Sequence, residues 1–137
     1  MTSLTWDAKK AASAQPIKSE FGMIQRISGK YKGRCRAVVN NGIVYAVATD
    51  ATSAKCVTEQ TRRALETLEN NLIDAGSGKA GILQATVYLR DMSMKSAMDE
   101  VWCDWIGGEE NWPQRACVGA DLAGDDLIEI VVTAAIL

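Results

Sequence analysis

Histidine is absent from the 137 residues of this chain, and its absence removes several classes of catalytic site. No Ser-His-Asp or Cys-His triad can form, no histidine can serve as a general base near pH 7, and no Cys/His zinc site is available. The four cysteines, Cys35, Cys56, Cys103 and Cys117, never stand in a CxxC spacing. We interpret them as reduced thiols that pack like small apolar side chains, and we expect no metal site.

An excess of positive charge is also missing. Lysine and arginine number 15 against 17 acidic residues, and the pI is about 5.2. Nucleic acids and anionic membranes attract basic surfaces, so neither is an expected partner. No apolar run approaches the roughly 18 residues that span a bilayer, and no apolar core follows the lysine pair near the N-terminus as in a signal peptide. We therefore expect a cytoplasmic protein.

The sequence patterns predict one α+β domain. Residues 1–22 are polar and have no clear period, so we interpret them as an N-terminal extension to a domain at residues 23–137. Apolar spacing and turn signals predict a strand at 23–27, a hairpin at 36–48 turning at Asn41-Gly42, a helix from Thr52 or Ser53 to Ala75, a strand at 82–89, a helix capped by Ser93, and a hairpin at 113–134. This order predicts a β-sheet with two helices on one face.

A glycine-rich loop at residues 76–81, GSGKAG, matches the letters of a dinucleotide-binding motif. In such a motif the loop leaves a strand and opens a helix, so that the helix N-terminus faces the anion. Here the loop is predicted to leave a helix and enter a strand. Nucleotide binding is therefore not expected.

Two charged residues stand out near the C-terminus. Glu129 lies within an apolar run, where a carboxylate loses hydration, so it is either an ion-pair partner or a tuned acid or base. Arg115 and Cys117 are two residues apart in a predicted strand and therefore share a face. The run around Glu129 indicates a strand buried on both faces, yet the two helices can cover only one. Another subunit is the simplest cover for the second face.

Two long segments carry a resemblance to a known family. They read QTRRALETLENNLIDAGSGKAGILQATVYLRDM (residues 60–92) and PQRACVGADLAGDDLIEIVVTA (residues 113–134). From about residue 23 to the C-terminus the chain resembles the RidA family, also called YjgF, and most of all its YoaB-like branch. The resemblance implies a homotrimer with a mixed sheet of the Bacillus chorismate-mutase-like fold and with clefts between subunits. It also implies hydrolysis of reactive 2-imino acids to 2-keto acids and ammonia without a cofactor.

The same resemblance suggests roles for individual residues. It implies that Arg115 holds the substrate carboxylate, that Glu129 positions the attacking water, and that the backbone of Cys117 holds the imino nitrogen. Asp99 replaces a family asparagine on the second helix, and we count it among the substrate-binding residues, where it adds negative charge. Two other departures are Val47-Ala48-Thr49 in place of an S-G-Q segment, and a family tyrosine position that falls near Arg34 or Cys35, with Tyr31 earlier in the chain.

Several alternatives stay open at this point. The protein could be a non-catalytic trimer that binds small carboxylates through Arg115. Ribonuclease activity has been ascribed to some relatives, but the acidic pI argues against it. Arg115 could instead form an ion pair with Glu129 or a contact between subunits. The sequence does not fix the strand register that decides whether Arg115 and Glu129 meet within one subunit.

Overall fold

The computed structural model describes residues 23–137, and it places six strands and two α-helices there. The strands are β1 (Gln25–Ser28), β2 (Cys35–Asn40), β3 (Ile43–Ala48), β4 (Ile82–Leu89), β5 (Gln114–Gly119) and β6 (Ile128–Ala135), and the helices are α1 (Val57–Asp74) and α2 (Lys95–Ile106). The predicted N-terminal extension lies outside these residues. Within them, no helix has the length and apolar character needed to cross a membrane.

All six strands join one mixed sheet in the order β1-β2-β3-β6-β4-β5. Neighbouring strands are antiparallel except β4 and β5, which are parallel. The predicted β2–β3 hairpin is confirmed, and both turn residues have positive φ, 53° at Asn41 and 79° at Gly42. Asparagine and glycine tolerate this conformation better than other residues, which explains why the turn was readable from sequence.

The predicted C-terminal hairpin is wrong. Strand β5 pairs in parallel with β4, and β6 lies between β3 and β4, so β5 and β6 are not neighbours. The chain between them crosses the end of β4 as a loop instead of making a tight turn. The side chain of Arg90 holds this loop by donating hydrogen bonds to the carbonyl oxygens of Leu122, Gly124 and Asp126, each at 2.8 Å.

Both helices pack on one face of the sheet, as predicted. Alternate strand residues point toward them, because side chains along a strand alternate between faces. In the central strand β6 these residues are fully buried: Ile128, Ile130, Val132 and Ala134. Helix α1 contributes a stripe at spacings of three and four, Ala64, Leu65, Leu68 and Leu72. Burying each large aliphatic side chain stabilises the fold by about 1.5–3 kcal/mol.

The predicted helix caps are wrong in both helices. Helix α1 begins after Cys56 and not after Thr52 or Ser53. The Asp50 carboxylate instead organises the preceding loop, because it accepts hydrogen bonds from the backbone N–H groups of Thr52 and Ala54, both at 2.8 Å. Before α2, the carboxylate of Asp91 accepts the N–H of Ser93 at 2.9 Å, so the residue predicted to cap is the one that is capped.

The glycine-rich loop at residues 76–81 joins the end of α1 to β4, as predicted, and it packs against the C-terminal strand. Ser77 Oγ donates to the carbonyl oxygen of Ala135 at 2.6 Å. A Cβ atom at Gly81 would lie 2.6 Å from that same oxygen. The close approach of two backbones explains the glycine at this position.

The second face of the sheet is uncovered within residues 23–137. Val131 of β6 is 40% exposed, Val118 of β5 is 43% exposed and Tyr45 of β3 is 50% exposed. An apolar strand surface of this kind is typical of a contact with another protein surface. The expected cover of β6 by another subunit stays a prediction.

Candidate functional site

Arg115 lies on β5, the edge strand, and points to the face that the helices cover. Its Nη2 donates to Oδ1 of Asp99 on α2 at 2.6 Å, and its Nη1 is 3.7 Å from the sulfur of Met98. The guanidinium also lies over the ring of Trp102, with 5.3 Å between Cζ and the ring centroid. The arginine is therefore held by an ion pair, a thioether and an aromatic face, in a fixed orientation.

Asp99 is shared between two cations. Its Oδ2 accepts from Nζ of Lys95 at 2.8 Å, one helical turn away, while Oδ1 accepts from Arg115. Burial raises the pKa of Asp99, but the hydrogen bonds and charges of Lys95 and Arg115 outweigh burial and hold it below its usual value. The negative charge expected from Asp99 is present, but two cations compensate it, so the cluster retains a net positive charge.

Cys117 shares the helix-covered face with Arg115, as the two-residue spacing predicted. Arg115 pairs with Ala85 and Cys117 with Val87, and both partners on β4 are fully buried. Burial raises the pKa of the Cys117 thiol, and the nearby charge of Arg115 only partly offsets this. The side chain therefore stays a neutral thiol at pH 7 and is a poor nucleophile.

Glu129 points to the opposite face of the sheet. Arg115 pairs with Ala85, and Ala85 pairs with Val132, so these three side chains share the helix-covered face. Glu129 is three residues from Val132, and side chains alternate along a strand. Arg115 and Glu129 therefore do not meet within one subunit, and the carboxylate partner of Arg115 in this chain is Asp99.

A cavity of about 580 Å³ opens beside Glu129. It lies near the end of the β2–β3 ladder, beyond the Ala37–Ala46 pair, and the buried side chain of Asn71 lines it. Asn71 donates to the carbonyl oxygen of Val47 at 3.1 Å and accepts from Nη1 of Arg36 at 3.0 Å. Two of the three departures from the family pattern lie here, since the lining includes Arg34, Cys35, Val47, Ala48 and Thr49, whereas Asp99 lies beside Arg115.

The loop between β1 and β2 brings an aromatic ring and two cations to the same cavity. Tyr31 lines it, so the early position of this tyrosine in the sequence does not remove it from the site. Cζ of Arg34 lies 4.7 Å from the centroid of the Tyr31 ring, and Nζ of Lys30 lies 5.6 Å from it. Among residues 23–137, neither cation forms a salt bridge, so both are available to an anionic ligand.

Asp126 is a cavity residue that the sequence analysis missed. It is half-buried, lines the cavity together with Glu129, and its carboxylate accepts no hydrogen bond from any residue between 23 and 137. In sequence it follows another aspartate after Gly124, which is typical of a turn. The available signal was its spacing, three residues before the anomalous Glu129.

Residues 23–137 offer no set of side chains that could form a metal centre. No three histidine, cysteine, aspartate or glutamate side chains of residues 23–137 are grouped so that they could hold a metal ion. The acidic groups of the site lie in two separate places, Asp99 beside Arg115 on one face of the sheet, and Glu129 with Asp126 at the cavity.

Comparisons with known proteins converge on one group. A family model described as Endoribonuclease L-PSP matches residues 26–136. The chain is 37% identical over 102 residues to a RutC family protein of Haemophilus ducreyi, covering 72% of this chain and 85% of that protein. It is 30% identical over 114 residues to the RutC family protein YoaB of Escherichia coli, covering 82% and 98%. The crystal structure of a YjgF family member from Neisseria meningitidis has a TM-score of 0.77 and 33% identity, covering 82% of this chain and 94% of that chain.

Proposed function

This chain belongs to the Endoribonuclease L-PSP family, which includes the RutC, YjgF and RidA proteins, and from this premise we propose that it hydrolyses reactive 2-imino acids. The products are the corresponding 2-keto acids and ammonia, and no cofactor takes part. The observation that carries the proposal is the fixed guanidinium of Arg115, which retains positive charge after pairing with Asp99. A substrate carboxylate is the natural ligand of such a group.

The proposed enzyme is a homotrimer in which two subunits build each site. Arg115 lies on an edge strand and Glu129 on the opposite face of the same sheet, so one subunit cannot bring them together. Packing of the uncovered face against a neighbour would bury Val131 and Tyr45 and place Arg115 of one subunit at the Glu129 cavity of the next. Closed cyclic assembly of identical subunits repeats this contact at every interface.

The attack of water on the imine requires few functional groups from the protein. An imine carbon is already electrophilic, so orientation of the substrate and one base are enough for water to attack that carbon. Arg115 orients the substrate through its carboxylate, and Glu129 accepts a proton from the attacking water. Neither step needs histidine, and the neutral Cys117 thiol is not required as a nucleophile.

The test is the breakdown of 2-iminopropionate and 2-iminobutyrate, generated in situ by an amino-acid oxidase and followed by semicarbazide trapping. We expect the wild type to lower trapping and Arg115→Ala to lose roughly 100-fold in kcat/KM, because a substrate carboxylate loses its charged partner. Arg62→Ala is the matched control, since Arg62 is an exposed arginine on α1 that pairs with Glu59. An Arg115→Ala variant with wild-type activity would contradict the proposal.

A second candidate function is a non-catalytic trimer that binds small carboxylates. One observation favours it: the Arg115 anchor is complete within a single chain, whereas Glu129 is not positioned near it. The two functions differ in turnover and not in binding. If the wild type leaves trapping unchanged and still binds 2-keto acids in calorimetry, the binding function replaces the enzymatic one.

A further inference from the structure

Imine hydrolysis requires a proton donor as well as a base, because the substrate nitrogen must leave as ammonia. We propose that Asp126 is a second catalytic carboxylate, which donates a proton to the imine nitrogen while Glu129 accepts one from water. This inference rests on the proposed function and deepens it. Three observations carry it: the fixed backbone of Asp126, the absence of a partner for its side chain, and the cavity that it shares with Glu129.

The side chains of Arg90 and Gln60 fix the backbone around Asp126 by hydrogen bonds. Arg90 Nε donates to the carbonyl oxygen of Asp126 at 2.8 Å. Gln60, which is fully buried, donates from Nε2 to the carbonyl oxygen of Asp125 at 3.0 Å and accepts the N–H of Leu127 at 2.8 Å. The loop therefore holds the backbone of Asp126 in place at the cavity wall.

The side chain of Asp126 is unusual when it is compared with Asp50, the buried acid of a neighbouring loop. The carboxylate of Asp50 accepts three hydrogen bonds, from Thr52 N, Thr52 Oγ1 and Ala54 N. The carboxylate of Asp126 is half-buried and accepts none from residues 23–137, although it lines the cavity with Glu129. The carboxylate of a structural acid normally accepts hydrogen bonds from its own protein, whereas an acid that acts on a ligand often lacks such partners.

The surroundings of Asp126 raise its pKa above the usual value of an aspartate. Burial raises its pKa, Arg90 at the end of β4 lowers it in part, and the Asp50 and Asp125 carboxylates raise it again. Other charged or titratable groups line the same cavity from the β1–β2 loop, from β2 and from β6: Lys30, Tyr31, Arg34, Cys35, Arg36 and Glu129. A carboxyl group that keeps its proton to higher pH is suited to act as a proton donor.

The proton balance closes over two steps. First, water adds to the imine carbon, Glu129 takes the proton that water releases, and Asp126 gives its proton to the nitrogen, so a neutral carbinolamine forms. Second, Glu129 returns its proton to the amino group and Asp126 takes the hydroxyl proton. The carbon–nitrogen bond then breaks with its electron pair on nitrogen and the carbonyl forms. Ammonia leaves, and both carboxyl groups regain their starting states.

The experiment compares Asp126→Asn with Asp121→Asn, since Asp121 is an exposed acid of the same loop that does not line the cavity. We expect Asp126→Asn to lower kcat/KM for 2-iminobutyrate by roughly 10- to 100-fold and Asp121→Asn to leave it unchanged. Asp126→Glu, which keeps an acid, should retain more activity than the amide. In the wild type, activity should fall as pH rises through the pKa of Asp126, and this limb should be missing in Asp126→Asn. Titration of the substrate imine itself affects all variants equally.

Thermal stability separates a chemical role from a structural one. Because the pKa of Asp126 is raised in the folded protein, its ionised form costs stability at neutral pH, so Asp126→Asn should have an equal or higher Tm there. A lower Tm combined with an unchanged pH profile would overturn the proposal, and so would wild-type activity in Asp126→Asn. Failure of the proposed function looks different, because the wild type itself would then show no turnover, and the role of Asp126 would fall with it.

Discussion

Arg115 and Glu129 lie on opposite faces of one sheet, and their surroundings differ as much as their positions. The Arg115 side chain is 19% exposed and is held by Asp99, Met98 and Trp102. Glu129 is half-buried at the wall of an open cavity, and its carboxylate accepts no hydrogen bond from residues 23–137. The Arg115 side chain is therefore fixed by contacts within its own subunit, whereas the Glu129 carboxylate has no such contacts in residues 23–137.

This difference indicates how the proposed site divides its work. Folding of one subunit orders the guanidinium, so binding of a carboxylate need not order it again. An acid–base group, by contrast, must exchange protons with water and substrate, and it gains from having no competing partner. We infer that the arginine face serves recognition and that the cavity face serves the chemistry.

The largest expected effect comes from a substitution that prevents assembly of the trimer but alters neither the Arg115 cluster nor the Glu129 cavity. Val131 lies on the uncovered face of β6, between Val47 and Thr86 on the adjacent strands. In the proposed trimer Val131→Asp would bury a charge at the interface, so assembly should fail and activity should fall by at least roughly 100-fold. Analytical ultracentrifugation and the trapping assay measure both outcomes.

A matched variant places the same charge on the other side of the molecule. Ile73 on α1 is 54% exposed, and Ile73→Asp should leave both assembly and activity unchanged. Circular dichroism should show that Val131→Asp still folds, because Val131 is already 40% exposed in the single subunit. An active, fully folded monomer of Val131→Asp would refute the two-subunit site.

The sequence predicted the features that depend on near neighbours along the chain. The Asn41-Gly42 turn, the apolar stripe of α1 and the anomalous position of Glu129 could all be recognised within short segments. Family resemblance added the fold, which the comparisons confirm. The roles of Arg115, Glu129 and Cys117 stay predictions.

Features that depend on distant parts of the chain could not be predicted. The order β4–α2–β5 is typical of a parallel pair, but the insertion of β6 between β3 and β4 joins parts of the chain that are far apart in sequence. The Arg115–Asp99 pair joins residues 16 positions apart on different elements. The backbone around Asp126 is positioned by Arg90, which bonds the carbonyl oxygen of Asp126, and by Gln60, which bonds that of Asp125. Both contacts form only in the folded chain.

Mixed trimers sharpen the comparison between the two faces. If Arg115 of one subunit acts with Glu129 of the next, Arg115→Ala and Glu129→Gln damage different halves of each interface. Unfolding and refolding an equal mixture should produce intact sites at about a quarter of the interfaces, since each half is intact by chance in about half of the subunits. Activity should therefore recover to about a quarter of that of refolded wild type.

The controls for this experiment are each variant refolded alone and the double variant mixed with either single variant. None of these can produce an interface with both side chains intact, so all should stay near background. Recovery in none of the mixtures would mean that both residues act from the same subunit. That outcome would require a rearrangement of β5 or β6 from the register described here.

The smallest effect is expected at Asp99, which competes with the substrate for Arg115. Asp99→Asn should lower KM for 2-imino acids a few-fold and leave kcat nearly unchanged, because the guanidinium loses a rival anion but keeps Trp102 and Met98. The ion pair is partly exposed, so its loss should cost no more than about 1 kcal/mol of stability. Glu100→Gln is the control, since Glu100 is the exposed acid next in sequence on α2.

The pH dependence of stability tests whether Asp99 acts through its charge. Its pKa is lowered in the folded protein, so its stabilising contribution is present above the unfolded value of about 3.9 and is lost as pH falls through the folded value. The Tm difference between wild type and Asp99→Asn should therefore be present at pH 7 and disappear in strong acid. A difference that persists unchanged below both values would assign Asp99 a packing role. In that case the net positive charge at Arg115 would not depend on the ion pairs that Asp99 forms with Arg115 and Lys95.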